Sequence, residues 1–276
     1  MPACYVISLN DAVKRREHIR HEFAKHRIPF SFFDAFRPSA ALDEAAARHM
    51  PALADNRTLS PGEKACMMSH VSLWQKCIDD NLPYISVFED DILLSEHAAD
   101  LLCSDTWLDS RFPAREAFIL RLETFLMPVN LKNSSIEGYG IFRFPLLDSV
   151  HYGTAGYLIS QAAARVLLDF LLTLEPSRIE AIDELLFKQQ LNRLLPCYQI
   201  SPAVCVQELQ LQQENSRLQS GLQAERDHNS LHNPALKRKR SLGERLLAAV
   251  CKPYRKYREA VRVTVPFLSP ENKHRQ

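Results

Sequence analysis

The chain has 276 residues, of which 46% are hydrophobic and 24% charged, and its formal net charge is +1. That length accommodates one large domain with appendages, and the composition fits a soluble globular core. With only 7 glycines, and neither a G-x-G-x-x-G nor a Walker-type loop, a glycine-cradled phosphate is excluded. Any phosphate must be held some other way.

Seven cysteines (Cys4, Cys66, Cys77, Cys103, Cys197, Cys205 and Cys251) are scattered without a C-x-x-C pair, so they read as reduced thiols packed as small hydrophobes. The N-terminus lacks a basic leader, and no uncharged stretch approaches the ~20 residues of a membrane span. The expected compartment is the cytosol.

In chain order, Cys4–Leu9 is a short β-rich run, and Ala12–His26 reads as a basic amphipathic helix marked by Val13, Ile19 and Phe23. Ile28–Phe33 is a second expected strand, so the chain opens β-α-β. An alanine-rich helix follows around 41–50. Ser60-Pro-Gly-Glu63 carries an N-cap serine, a proline at the first helical position and a glutamate three residues after the cap, which starts a helix running to about Asp80. At 100° per residue Cys66, Met67, Val71, Leu73, Trp74, Cys77 and Ile78 share its apolar face, with Glu63 and His70 near the middle of that face.

Tyr84–Phe88 is a near-continuous apolar strand of the kind buried in a parallel sheet, and it runs into Glu89-Asp90-Asp91. Ala117–Leu122 is a further strand leading to Glu123-Thr124, Thr154–Ser160 another, and Ala162–Leu174 a helix. The alternation implies an α/β domain over residues 1–205. A Gln/Glu-rich polar helical connector or flap occupies 206–235, and a basic tail 236–276. From Lys237 to Arg262 there are ten Lys or Arg against Glu244 and Glu259, with apolar residues at three- and four-residue intervals. Pro253 is expected to break or kink that helix.

Three adjacent carboxylates after a buried strand repel one another, and a Mg²⁺ or Mn²⁺ ion is the usual remedy. The C-terminal end of such a strand is also where α/β folds bind ligands. Strand alternation would point Glu89 and Asp91 one way, toward a metal, and Asp90 the other, toward a ribose or a structural partner. The competing reading is an acidic turn that caps the next helix.

The series Val6–Leu9 with Arg15-Arg16, Phe33-Asp-Ala35, Leu59–Cys66 with Ser69-His70 and Trp74, Val87–Asp91, Arg121–Thr124, Gly153–Tyr157 and Ala181-Ile-Asp183 resembles glycosyltransferase family 25, the lipooligosaccharide galactosyltransferases. The resemblance covers nearly the whole chain. It implies a Rossmann-like GT-A catalytic domain with the basic helical extension, a UDP-galactose donor, Mn²⁺ or Mg²⁺, and inversion at the anomeric carbon. The implied product is a β-1,4 linkage to a terminal GlcNAc or glucose of a lipooligosaccharide.

On that resemblance Asp183 is the candidate base, at the start of an expected helix where it would otherwise be an N-cap, and Glu184 is the fallback. His70 is expected near the donor, and Arg15 or Arg16 at the uridine or diphosphate. Gly153 and Thr154 would allow close backbone approach to the sugar. Arg121 and Glu123, with Thr124 beside them, are sugar-binding candidates. Gln207, Glu208, Asn215 and Ser216 are expected to form the flap over the donor. A lipid-linked acceptor favours an anionic inner-membrane surface over nucleic acid as the partner of the tail. A metal-dependent phosphohydrolase and a non-catalytic sugar-binding module are the competing functions.

Overall fold

A computed structural model describes residues 3–113, 115–187, 195–212 and 251–269. The strands are β1 (Ala3–Ser8), β2 (Ser31–Asp34), β3 (Tyr84–Glu89), β4 (Ile92–Leu94), β5 (Ile119–Arg121), β6 (Glu123–Thr124) and β7 (Pro128–Val129). They continue as β8 (Leu131–Lys132), β9 (Leu146–Leu147), β10 (Gly156–Ser160), β11 (Cys197–Gln199), β12 (Cys205–Gln207) and β13 (Val263–Thr264). The helices are α1 (Val13–Lys25), α2 (Ala40–His49), α3 (Pro61–Asp79), α4 (Ala98–Leu102), α5 (Thr106–Asp109), α6 (Gln161–Leu171), α7 (Ile182–Phe187), α8 (Glu208–Gln212) and α9 (Lys252–Ala260).

The central sheet has eight strands in the order β2-β1-β3-β10-β5-β11-β9-β8 and is mostly parallel. β1 is parallel to both β2 and β3, whereas β10 runs antiparallel between β3 and β5. The chain leaves β1 for β2 on one side and later returns to β3 on the other. That reversal opens a crevice beyond the carboxyl ends of β1 and β3, where α/β folds take their ligands.

Both faces of the sheet are covered, which is why its strands read as apolar runs rather than alternating ones. Ile7, Ile85, Val87 and Ile159 pack into one core with Met67, Val71, Trp74 and Leu167. Val6, Phe88, Leu120 and Leu158 pack on the other face against Ile19, Phe23, Leu101 and Trp107. Each of the largest of these side chains contributes about 1.5–3 kcal/mol by leaving water.

Local chemistry sets the helix starts. Ser60 Oγ accepts from Glu63 N at 3.1 Å and Glu63 Oε2 accepts from Ser60 N at 2.9 Å, so α3 begins with the expected reciprocal box. Glu63 is thereby committed to the cap.

Two expectations change. The residues after the acidic cluster form β4 and not a helix, and β4 joins β12 and β6 in a second, three-stranded sheet. The helix-capping reading of Glu89–Asp91 therefore falls. Pro253 stands in the first turn of α9, where a missing N–H costs nothing, so the described helix begins at the proline expected to interrupt the basic segment. The described end of the tail also folds back onto the domain: β13 pairs with β7, Ala203 N donates to Pro266 O at 2.8 Å, and Val265 and Phe267 are buried. Arg258 forms an ion pair with Asp148, and Asn130 Nδ2 donates to its carbonyl at 2.8 Å.

Candidate active site

A cleft of about 450 Å³ opens at the carboxyl ends of β1 and β3. Ser8, Leu9, Ala12 and Arg15 form one wall, Phe36 to Pro38 a second, and the first turns of α3 with Cys66, Ser69 and His70 a third. Glu89 and Asp90 stand at its edge.

The carboxylates divide differently from strand alternation, because the chain turns immediately after Glu89. Glu89 Oε1 accepts from Thr154 Oγ1 at 2.7 Å and lies 3.6 Å from His70 Nε2. Asp90 accepts from Ser8 Oγ at 2.6 Å and is ion-paired with Arg15, which also lies 3.5 Å from Asp91 Oδ2. Asp90 and Asp91 thus share one guanidinium while Glu89 faces α3.

Burial alone would raise the Glu89 carboxyl, but the facing His70 ring, the Thr154 hydroxyl and Arg15 outweigh it and hold it below its usual range. Asp91 goes the other way. Burial and then the neighbouring Glu89 push it up to about 7, with only Arg15 opposing, and its Oδ1 has no hydrogen-bond partner among the described residues.

Of the two expected arginines, Arg15 lines the cleft. Arg16 donates to Leu9 O and Ser8 O at 3.0 Å each, pairs with Asp34 and lies over the Phe32 ring. Its role is to fasten the end of β1. His70 is fully buried, with Nδ1 2.9 Å from Tyr157 Oη, which also accepts from Trp74 Nε1 at 2.8 Å.

Arg121 and Glu123 do not face the cleft. They form an ion pair at 0% and 1% exposure, roofed by the Phe187 ring. Arg121 Nη2 also donates to Tyr152 O at 2.6 Å, and Glu123 Oε2 accepts from Gly156 N at 3.0 Å. Burial first, and Glu89 against the relief from Arg121, push the Glu123 carboxyl up to about 7. Thr124 spends its hydroxyl on Val265 O at 2.9 Å, so it anchors the C-terminal segment. In this structure these three expected sugar contacts are buried, do not line the cleft, and spend their polar groups on structural partners.

The loop at residues 151–155 joins the two sides. Gly153 has φ +84°, and a Cβ there would overlap Glu123 Oε1. Its N–H donates to Asp183 Oδ2 at 3.2 Å, while Thr154, the next residue, holds Glu89. Asp183 lies in the first turn of α7, is 6% exposed, and accepts from Glu184 N at 3.0 Å through Oδ1. Neighbouring His151 is driven down to about 3 by burial and by Arg121, and stays neutral.

Gln207 pairs with Ile92, and Glu208 N donates to Asp91 O at 2.8 Å, so the expected flap begins on the acidic turn. Asn215 and Ser216 lie outside the described residues. Sequence reasoning missed Ser8 as the partner of Asp90 and Tyr157 as the support of His70. Both belong to motifs that were noticed, but neither motif carries a signal for its distant contact.

An α/β sheet with a basic and acidic cleft at its switch point is the construction of an enzyme that grips a polar ligand beside a fixed carboxylate. The chain belongs to glycosyltransferase family 25 (LPS biosynthesis protein), whose model matches residues 1–186. It is 45% identical over 248 residues to the lacto-N-neotetraose biosynthesis glycosyltransferase LgtE of Neisseria gonorrhoeae, covering 87% of this chain and 89% of that one. It is 45% identical over 226 residues to LgtB of Neisseria meningitidis serogroup B, covering 80% and 82%. It is 42% identical over 258 residues to the lipooligosaccharide biosynthesis protein lic2B of Haemophilus influenzae, covering 94% of each. No helix among the described residues is long and apolar enough to cross a membrane.

Proposed function

We propose that this family 25 glycosyltransferase has GT-A architecture and moves galactose from UDP-galactose, with inversion, to a terminal GlcNAc or glucose of a lipooligosaccharide, forming a β-1,4 linkage. The observation that carries the reading is the division of labour across residues 151–155. On one side is a cleft of about 450 Å³ with Arg15 at its acidic edge, and on the other a buried Asp183 held by backbone N–H groups. The relatives named for lacto-N-neotetraose and lipooligosaccharide biosynthesis support the acceptor class.

The cleft suits a nucleoside diphosphate. Ile7, Leu9, Ala12 and Phe36 offer apolar surface to a base and ribose, and Arg15 offers a guanidinium to phosphate oxygens. Asp91, with Glu89, would hold Mn²⁺ or Mg²⁺, and Asp90 the ribose or Arg15. The residues fit a hard cation, since Asp91 has a buried oxygen without a hydrogen-bond partner among the described residues and a carboxyl that burial and like charge disfavour. When bound, the cation neutralises the departing diphosphate.

Asp183 takes the proton of the acceptor hydroxyl, with its carboxylate aimed by the N–H groups of Gly153 and Glu184. Glu184, one residue further along α7, is the second choice. Gly153 and Thr154 bring backbone close to the sugar, and the Arg121–Glu123 pair holds that loop in place. Gln207 stands where a donor flap would begin in this reading, and Ser216, assigned to the same flap, lies outside the described residues.

At the periphery, α9 carries basic residues and leaves Tyr254 and Tyr257 each 63% exposed, a face suited to anionic lipid at the cytoplasmic side of the inner membrane. Replacing Lys256 by Ala is expected to weaken binding to anionic vesicles about fivefold, at about 1 kcal/mol per basic residue. Unchanged sedimentation would remove the membrane part of the reading.

Mixing the protein with Mn²⁺, UDP-galactose and a GlcNAc or glucose glycoside is expected to give UDP and a disaccharide in equal amounts. UMP and galactose 1-phosphate without disaccharide would identify a phosphohydrolase, UDP with free galactose would mean that water and not the glycoside takes the sugar, and none of these products a binding module.

A further inference from the structure

We infer that Cys66, His70 and Glu89 form a binding site for a divalent cation of the Zn²⁺ class in the wall of the cleft. One ligand atom from each lies within 4.8 Å of the other two. Cys66 and His70 stand one turn apart on α3, and Glu89 meets them from the end of β3. All three line the cleft.

His70 shows most directly that the cluster is built for an ion. The ring is 0% exposed, yet Nε2 has no hydrogen-bond partner among the described residues. Its distance of 3.6 Å to Glu89 is too long for a hydrogen bond. A buried ring nitrogen left unsatisfied costs about 1–3 kcal/mol. The other nitrogen is fixed: Nδ1 lies 2.9 Å from Tyr157 Oη, and that oxygen is itself positioned by the Trp74 N–H at 2.8 Å. With Nδ1 engaged by Tyr157, Nε2 is the nitrogen that faces Cys66 and Glu89, and it offers its lone pair to an ion when the ring proton sits on Nδ1. A histidine oriented through its second nitrogen is the usual support of a metal ligand.

The donor set selects the ion. One thiolate, one imidazole and one carboxylate suit Zn²⁺, whereas Mg²⁺ and Mn²⁺ prefer oxygen alone. Three protein ligands leave a fourth position, and the cleft lies on that side. Cys66 is not in a disulfide, and binding exchanges its S–H proton for the metal, with the proton leaving to solvent and no change of oxidation state. On the reading of Glu89 and Asp91 as the donor-metal pair, and only there, this site competes for Glu89, so Zn²⁺ would oppose Mn²⁺-supported transfer.

Titration of the full chain with Co²⁺, in the absence of any nucleotide sugar, tests the site independently of the donor assignment. The expected result is a near-ultraviolet thiolate-to-cobalt charge-transfer band at one equivalent, abolished by Zn²⁺. Cys66→Ser is expected to lose the band, and Tyr157→Phe, which keeps the thiol, to weaken Co²⁺ about 10-fold or more by releasing the His70 ring. Cys103→Ser serves as the control that keeps it. Circular dichroism checks folding, and Glu89→Gln provides a second ligand variant, expected to shift the band and weaken binding, should Cys66→Ser unfold. No band in the wild type, or a band that survives Cys66→Ser, overturns the proposal.

Discussion

The carboxylates on the two sides of residues 151–155 have opposite surroundings. Asp90 borders an open cleft and shares with Asp91 the guanidinium of Arg15, whose side chain keeps 24% of its exposure. Glu123 pairs with Arg121 in the interior, at 1% and 0%. Both groups follow apolar strands of the same sheet, so neighbouring sequence alone does not separate them. What separates them is whether the cation can leave. At the rim of a cleft, Arg15 can exchange a carboxylate for a ligand phosphate, whereas withdrawing Arg121 would strand Glu123 without solvent. The first pair is suited to binding and the second to holding a loop.

The largest expected effect comes from breaking the interior pair. Arg121→Met should lower stability by about 3–5 kcal/mol in urea unfolding, because it leaves a buried carboxylate uncompensated. A loss below 1 kcal/mol would mean that the pair is not sealed. Arg15→Ala should leave the fold intact but weaken UDP-galactose by about 1.5–3 kcal/mol in calorimetry, the worth of a hydrogen bond to a charged group. Unaltered donor affinity would remove Arg15 from the diphosphate. Gly153→Ala should destabilise by about 1–3 kcal/mol, since it strains a positive φ and presses on a Glu123 that Arg121 holds in place. If its urea midpoint matched the wild type, the loop would not be the rigid bridge described.

Much of the cleft side was legible because local chemistry dictates it. The apolar run Tyr84–Phe88 became β3, and Ser60 with Glu63 capped α3 as their spacing requires. The acidic end of β3 was legible for the same reason. Its turn was not. Ile92–Leu94 is too short to show a period, and it becomes a strand only because Cys205–Gln207 pairs with it from far along the chain.

Contacts of that range account for the other differences. Ser8 and Asp90 are 82 residues apart. Arg121 and Glu123 alternate onto one face as a strand demands, but whether that face is cleft or interior depends on Phe187 of α7 and on β10. In the tail, basic residues dominate the pattern and hide the short Val263-Thr264 segment that pairs with β7.

In the proposed function, donor binding and proton removal belong to different sides of residues 151–155. Asp183→Asn tests it most directly, when calorimetric binding of UDP-galactose is measured beside turnover on a GlcNAc or glucose glycoside. Donor affinity is expected to stay unchanged and turnover to fall by about 10²–10⁴-fold, the usual worth of a positioned base. Turnover near the wild-type rate, or donor binding lost together with turnover, would contradict it.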